Sequence, residues 1–505
     1  MGASSALVIF RLKIATKITF SNLPMNKRHF LTRVGLGITP VLAATAKAQP
    51  NLLSVETDFL TQYMSLAATK AISKEVEEQT KYHLLDTYAA ILSGSQLLPG
   101  KSAISYIKKY APTGKCTVIG TKFSTSPSDA CLANGVMAHS DETDDSHNRS
   151  RSHPGCSVVP AATASAELFN VSGSHLLRSV ALGYDIGTRV VMAMGGPEFS
   201  YTSHKSSHSI AGIFGAASAA ACAAQLTPQQ MRWVLDYTAQ QSAGIYAWGR
   251  DTDHIEKAFV FAGMPAKNGI TSAILVENGW TGINDIFSGS DNFFEAYAPL
   301  ANKKLLTEAL GERFEITQTD IKKWTVGSPI QGPLDALELI RKKHTFEASA
   351  VEKVIVHLEP STAKVVSNRE MPDICLQHML AVMLIDGTAS FKAAHDVQRM
   401  QNPLVLEQRA KIELLFDDQL KQFMPVRVAI VEVFLKDGSH YSERIEAVRG
   451  TPRNPMGAQE VVDKAMDLIG PVLGNKQAKE LTSLVLNLEG QKDLSQLVYL
   501  LKDNS

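Results

Sequence analysis

The sequence has no surplus of charge of either sign: 50 lysines and arginines stand against 50 aspartates and glutamates. A nucleic-acid partner would ask for a basic excess, so that class of function is set aside. Cysteine is scarce. Cys116, Cys131, Cys156, Cys222 and Cys375 are scattered and form no CxxC pair. That excludes a zinc ribbon, an iron–sulfur ladder and a disulfide framework. No apolar run of about eighteen residues follows the N-terminal region, so no membrane span is expected in the mature chain. The sequence also lacks a calcium-loop order of acids, an HExxH helix, a fixed-period repeat and a low-complexity linker. What remains is 505 residues, 45% apolar, with room for two or more domains and a large core.

The N-terminus differs from the rest. "MNKRHFLTRVGLGITPVLAATAKAQPN" begins at Met25 with Lys27 and Arg28, continues through a short apolar stretch, and ends near Ala46-Lys47-Ala48. A charged region, an apolar region and a small-residue cleavage site make an export signal. Residues 1–48 are therefore read as a targeting segment, with translation starting at Met25, a mature chain beginning near Gln49, and an exported or periplasmic protein. The stretch is Tat-like, but lysine replaces the first arginine, which favours the general secretory route. Without a working signal the protein is cytoplasmic.

Beyond it the pattern is helical. "SKEVEEQTKYHLLDTYAAILSG" opens on a serine cap and stops at Gly94. "TPQQMRWVLDY" offers Thr227 as cap, Pro228 at the first helical position and Gln230 to close a capping box. "IAGIFGAASAAACAAQL" is small and apolar all round, so Gly212 to Leu226 is expected at the centre of a helical bundle. Near residue 320 the period changes. "VEKVIVHLEP" alternates as a strand, "RVAIVEVFLKDGSHYSERIEAV" reads as two strands around Lys436-Asp437-Gly438, and "LLFDDQL" and "LQHMLAVMLIDG" between them read as mixed strand and helix. The expectation is a mainly α protein: an all-helical domain over residues 55–318, an inserted smaller α+β lid domain over 319–450, and C-terminal helices over 451–505 that return to the first domain. Their interface is a common place for a small-molecule site.

One loop concentrates chemistry. "HSDETDDSHNRSRSHPG" packs Asp141, Glu142, Asp144 and Asp145, Ser146, and the histidines His139, His147 and His153 into one stretch, with Arg149 and Arg151 between the last two histidines. It lies between "SDACLANGVMAH" and "VVPAATASAELF", two helical stretches. His153 stands at the mouth of the second helix, where free backbone N–H groups favour an anion and an imidazole titrates near neutral pH. The readings open at this point are a metal site on the His139–His153 cluster, an acid/base loop, and a solvated loop.

At these residues the chain resembles the MmgE/PrpD family, which contains 2-methylcitrate dehydratases, cis-aconitate decarboxylases and iminodisuccinate epimerases. The resemblance runs collinearly through "LANGVMAHSDETDDSH", "VVPAATASAE", "GYDIGTRV", "QQSAGIYAW", "EKAFVFAGMPAKNGITSAILVENGWTG", "DICLQHMLAVMLIDG" and "RGTPRNPMG", over roughly residues 55 to 500. It implies a helical domain with an α+β lid, a homodimer, no cofactor, no metal, and a small carboxylate as substrate.

Site residues follow by position. The family loop reads H-x-x-D-F-D-D-T, so Glu142 takes the first acidic position, Asp144 and Asp145 the pair, and Ser146 the hydroxyl. Glutamate for aspartate extends the carboxylate by one methylene. His153 matches the family's HP histidine. A second family histidine falls at His204 or His208, with His208 favoured. Lys257 matches a lysine that binds a substrate carboxylate, and Lys322, with Lys323 its near alternative, matches a second. Two departures stand out: Gly327-Ser328 replaces a decarboxylase histidine, and His378 replaces a family tyrosine expected to face substrate. They put citrate-type substrates in question more than the proton chemistry.

The family reactions all make or quench a carbanion beside a carboxylate, which needs an acid, a base and cations. The resemblance therefore implies His153 as acid/base, partnered by Glu142 or Asp144, with His208 assisting and Lys257, Lys322, Ser146 and His378 binding substrate. The reading is a cofactor-independent lyase, first a hydro-lyase. An epimerase or decarboxylase with the same apparatus is the alternative, and an exported carboxylate-binding protein without turnover a further one.

Overall fold

Serines begin several of the long helices. In the computed structural model, which describes residues 53–504, Ser73 accepts from the Val76 amide ahead of α1 (Lys74–Gly94), and Ser126 accepts from the Asp129 amide ahead of α2 (Pro127–Ala138). The targeting segment, Met25 and Gln49 lie outside the described residues. α3 (Gly155–Phe169) has no side-chain cap from its own N-cap residue, Pro154. α4 (Gly173–Ala193) is capped by Ser172 and α5 (Ser207–Ala223) by Ser206. α6 (Pro228–Gln240) starts with the Thr227–Gln230 capping box expected from the sequence.

Every residue of α5 is buried, as its small side chains require. α4 and α5 approach backbone to backbone: a Cβ on Gly187 would fall 2.2 Å from the Ala211 carbonyl oxygen, and one on Gly215 would fall 2.8 Å from the Gly183 carbonyl oxygen. Gly187→Ala must therefore push the helices apart. Overpacking of this kind costs about 1–3 kcal/mol, and a urea titration should show that loss. An unchanged midpoint would mean the helices have slack that the packing does not suggest.

A continuous helical stretch, Ile255–Glu277, contains a π-helical turn at Phe259–Gly263 before α7 (Met264–Glu277). Among the described residues it alone is long and apolar enough to cross a membrane, and 61% of its apolar window is buried, as in a core helix. π turns often re-aim side chains at functional sites, and this one carries Phe261, described below.

From Trp324 onward the architecture changes. α8 (Ser328–Lys343) leads to β1 (Val351–Leu358), α9 (Leu376–Asp386), β2 (Ile412–Phe416), β3 (Ala429–Leu435) and β4 (His440–Ile445). The sheet order is β2-β1-β3-β4, with β1 parallel to β2 and the other pairs antiparallel. β3 and β4 form the expected hairpin, with Gly438 at φ +87° in the turn. Of the two stretches read as mixed strand and helix, "LLFDDQL" ends β2 and enters a 3-10 turn, and "LQHMLAVMLIDG" is the helix α9, with buried residues on all its faces. Trp324, Leu334, Val354, Leu380 and Val431 belong to a hydrophobic cluster whose buried members all fall between residues 324 and 445. α10 (Ala458–Leu473) then packs on α1: Val461 and Leu468 share a cluster with Leu84 and Leu85, and Lys464 pairs with Asp86 at 2.6 Å.

Candidate active site

The loop rich in carboxylates is not solvated. Every residue from His139 to His147 is buried. A buried carboxylate must find a partner, and the four here turn to four separate parts of the chain. Asp141 lies 2.9 Å from His395 Nε2 and accepts from Thr143 N (3.0 Å) and Oγ1 (2.6 Å). Glu142 pairs closely with Lys257, and Lys322 donates to its backbone carbonyl at 2.7 Å. Asp144 lies 2.9 Å from His139 Nδ1 and 3.2 Å from His153 Nδ1, the latter an ion-pair contact not aligned as a hydrogen bond. Asp145 accepts from Tyr184 (2.5 Å) and from the Gly155 amide (3.0 Å), and lies 2.9 Å from His83. Asp145 thus caps α3 from outside the helix, stabilising the positive end of its dipole.

Two further ties fix the loop. Ser146 exchanges backbone hydrogen bonds with Asp320, at 3.0 and 2.8 Å. Lys464 of α10 donates to the Thr143 carbonyl at 3.0 Å. His147 sits between Ser150 (2.8 Å) and Glu315 (3.2 Å) and serves the loop's own fold.

Beside the loop four histidine rings gather, three of them against Phe261. His153 lies 5.0 Å from His139 and 5.1 Å from His208, centroid to centroid, and His254 lies 5.2 Å from His139. His208 stacks on Phe261 at 3.7 Å and meets the edge of Trp248 at 5.6 Å. All of these except His139 face a cavity of about 1280 Å³. Glu142, Ser146, His153, His208 and Lys257 line it on one side, and Gly327, Ser328, Arg369 and Arg427 line it from the 324–450 region.

The expected residues divide into three groups. Those five line the cavity. Asp144 and Lys322 do not, but sit directly behind it: Lys322 Nζ is 3.8 Å from both the Glu142 and Asp144 carboxylates, with a side chain only 2% exposed. Lys322 therefore holds the loop, where the sequence suggested a substrate clamp. His378, expected to face substrate, is fully buried on α9 away from the cavity lining, and burial lowers its pKa to about 4. Of the open pairs, His208 lines the cavity while His204 is exposed, and Lys323 pairs with Glu338 at 2.6 Å away from the loop.

His254 escaped the sequence reading. It lines the cavity three residues before Lys257 and adopts a left-handed backbone, φ +67°. A histidine one turn ahead of the lysine was the available signal. Arg427 also lines the cavity and had no signal in its alternating strand.

Burial and charge set the protonation states. Burial alone would raise Glu142, but Lys257 and Lys322 hold its carboxyl well below the ordinary range. Burial is likewise overcome at Asp144, by His139 and His153. Burial lowers His139 and, with His153 nearby, pushes His208 well down; burial with Lys257 lowers His254 to about 3. The site at neutral pH thus sets ionised Glu142 and Asp144 against lysines, with the imidazoles of His139, His208 and His254 kept neutral. Two groupings bring possible metal ligands within 4.8 Å of one another, His139–Glu142–His254 and His139–Asp144–Cys156. Two lysines already neutralise Glu142, so a cation there meets repulsion, and the wall beside it suits anions.

Among the described residues His395 is the imidazole that is raised, to about 9: burial would lower it, but the hydrogen bond and charge of Asp141 win. A raised folded pKa stabilises the protein below the unfolded value near 6.5, and that gain disappears as pH climbs through 9. His395→Gln should therefore cost up to about 3 kcal/mol at pH 6 and little at pH 9.5. Denaturation at the two pH values checks it; an equal loss at both would mean the pair contributes no charge.

Comparison with known proteins identifies the family. Residues 58–305 match the MmgE/PrpD N-terminal domain and residues 324–490 the MmgE/PrpD C-terminal domain. The chain is 25% identical over 465 residues to the cis-aconitate decarboxylase-like protein oryM of Aspergillus oryzae, covering 85% of this chain and 94% of that protein. It is 26% identical over 457 residues to the cis-aconitate decarboxylase of Homo sapiens, covering 86% and 92%, and 24% identical over 450 residues to that of Mus musculus, covering 85% and 89%. Two domain matches in collinear order, the first containing the loop whose buried acids and histidines flank the cavity, lead to one conclusion: the chain belongs to the MmgE/PrpD family.

Proposed function

We propose that this protein is a cofactor-independent lyase that makes a carbanion beside a carboxylate of a small di- or tricarboxylate, first of all a hydro-lyase. The observation that carries the reading is His153 at the cavity wall with the Asp144 carboxylate 3.2 Å behind it. Asp144 orients the ring and stabilises the imidazolium formed when His153 takes a proton. The electron pair moves toward the substrate carboxylate, and the β-hydroxyl departs as water with a proton from the Lys257 ammonium, which Glu142 holds in place. His208 and His254, kept neutral, line the site without adding charge, and Phe261 and Trp248 limit water. The 319–450 region acts as a lid that closes over the bound substrate.

A second reading, decarboxylation, is favoured by the names of the relatives. There carbon dioxide leaves first and His153 returns a proton to the carbanion. Proton NMR of the full chain in heavy water, with a panel of di- and tricarboxylates, separates the two. Deuterium at a carbon next to a carboxylate together with a new alkene supports the hydro-lyase, and release of carbon dioxide supports the decarboxylase. Silence across the panel would sink both. The reading also includes export through residues 1–48 and a homodimer, which N-terminal sequencing of secreted protein and light scattering would test.

A further inference from the structure

Most buried basic groups of this protein have acceptors. Arg189 donates to the carbonyls of Glu308 (2.6 Å) and Arg313 (2.8 Å), and Lys464 pairs with Asp86 at 2.6 Å. At the cavity, Lys257 and Lys322 are both engaged by Glu142. Arg427 is different. It lies on the segment just before β3 and lines the cavity, yet among the described residues it has no hydrogen bond and no ion pair. The side chain is half-buried, and its guanidinium carries five N–H donors in a fixed fork that is open to the cavity and meets no protein acceptor. Burial lowers its pKa, only partly offset by Asp320. Asp320 lies beyond ion-pair range and already accepts from Asn148 at 2.8 Å.

Arg151 lines the same cavity and is one of the charges that Arg427 senses. Its partners are neutral: the hydroxyls of Ser200 (3.3 Å) and Tyr246 (3.4 Å), and the Tyr201 ring at 4.1 Å. Its backbone sits at φ +48°, a strained setting for arginine. The carboxylates that line the cavity are taken up elsewhere, Glu142 by the two lysines and Asp251 by the amides of Lys257 (2.8 Å) and Asp253 (3.2 Å). Arg427 and Arg151 therefore face this space with no carboxylate against them, as does the exposed Arg369 at its rim.

We propose that Arg427, with Arg151, forms a second anion subsite that grips a carboxylate of the substrate remote from the carbon at which His153 works. The subsite deepens the lyase reading and rests on it for the word substrate. It selects molecules with a further carboxylate several bonds from the reacting carbon, and a planar fork receives that group through two parallel hydrogen bonds.

Tricarballylate, a tricarboxylate with no leaving group, is the probe, with butyrate as a one-carboxylate control. Calorimetry on the full chain should show Arg427→Gln weakening tricarballylate about 10- to 100-fold. Arg427→Lys should recover part of the loss, and butyrate should bind both proteins alike. Because the charge is unpaired in the free protein, Arg427→Gln should melt no lower than the parent; a merely structural arginine would lower it. Equal binding of tricarballylate by parent and Arg427→Gln overturns the proposal. So does failure of the parent to bind it, or an equal loss for butyrate. Binding that depends on Arg427 without deuterium exchange on any carboxylate leaves the subsite standing and removes the lyase reading.

Discussion

His153→Ala should lower turnover about 10²- to 10⁴-fold, the range supplied by one positioned acid/base group, while the protein stays folded. The fold is spared because the ring is not structural. It is 11% exposed, and its partner Asp144 keeps His139 at 2.9 Å and Lys322 at 3.8 Å when the imidazole is gone. The start of α3 is unaffected as well, since the Gly155 amide is held by Asp145 and not by His153. The measurement is the rate of deuterium exchange or product formation, with the melting temperature read alongside. A variant that works as fast as the parent removes His153 from the reaction. A variant that has unfolded would instead show that the ring stack around Phe261 carries stability.

Lys322→Met should have the largest effect on stability, about 3–5 kcal/mol, the cost of stripping one partner from a buried charge cluster. Methionine fills similar space but leaves the Glu142 carbonyl and two carboxylates short of a cation. Glu142 and Asp144 have depressed folded pKa values, so they stabilise the protein above the usual carboxylate range and lose that effect as pH falls through the folded values. The deficit of Lys322→Met should accordingly be full at pH 7 and shrink below about pH 4, where the variant's carboxylates take up protons. Lys257→Met makes the contrast. That side chain is 19% exposed at the cavity, so it should cost less stability and more activity. Urea titrations at pH 7 and pH 4 test both; equal deficits for the two lysines would contradict the division between a holding lysine and a working one.

Local chemistry was readable from the chain, and partner choice was not. The capping box at Thr227, the all-small helix α5 and the β3–β4 hairpin each rest on neighbours within a few residues, so the order of residues contains them. α9 was ambiguous for a physical reason: its stretch is apolar on every face, and a fully buried helix and a buried strand look alike without a period. The four loop carboxylates show the same limit at the site. In sequence they are near equivalents, yet Asp145 serves a helix start, Asp141 serves His395, and only Glu142 and Asp144 stand by the cavity. What separates them is contacts from residues 83, 257, 322 and 395, which no spacing reveals. His378 was misplaced by the same gap, since alignment to a family position carries no information on which side of a buried helix faces the ligand.

The tie between Lys464 and Thr143 has a consequence for biosynthesis. The lysine that closes the loop from behind is made 321 residues after the threonine it holds. At about 5–20 residues per second, the nascent chain waits on the order of 15–60 s for it. During that interval Asp86 and the loop carbonyl have only water for company, and the acids of the loop resist leaving solvent. The carboxylate loop is thus among the last parts to set, and a chain released before α10 would carry every cavity-lining residue named above without the tie from Lys464.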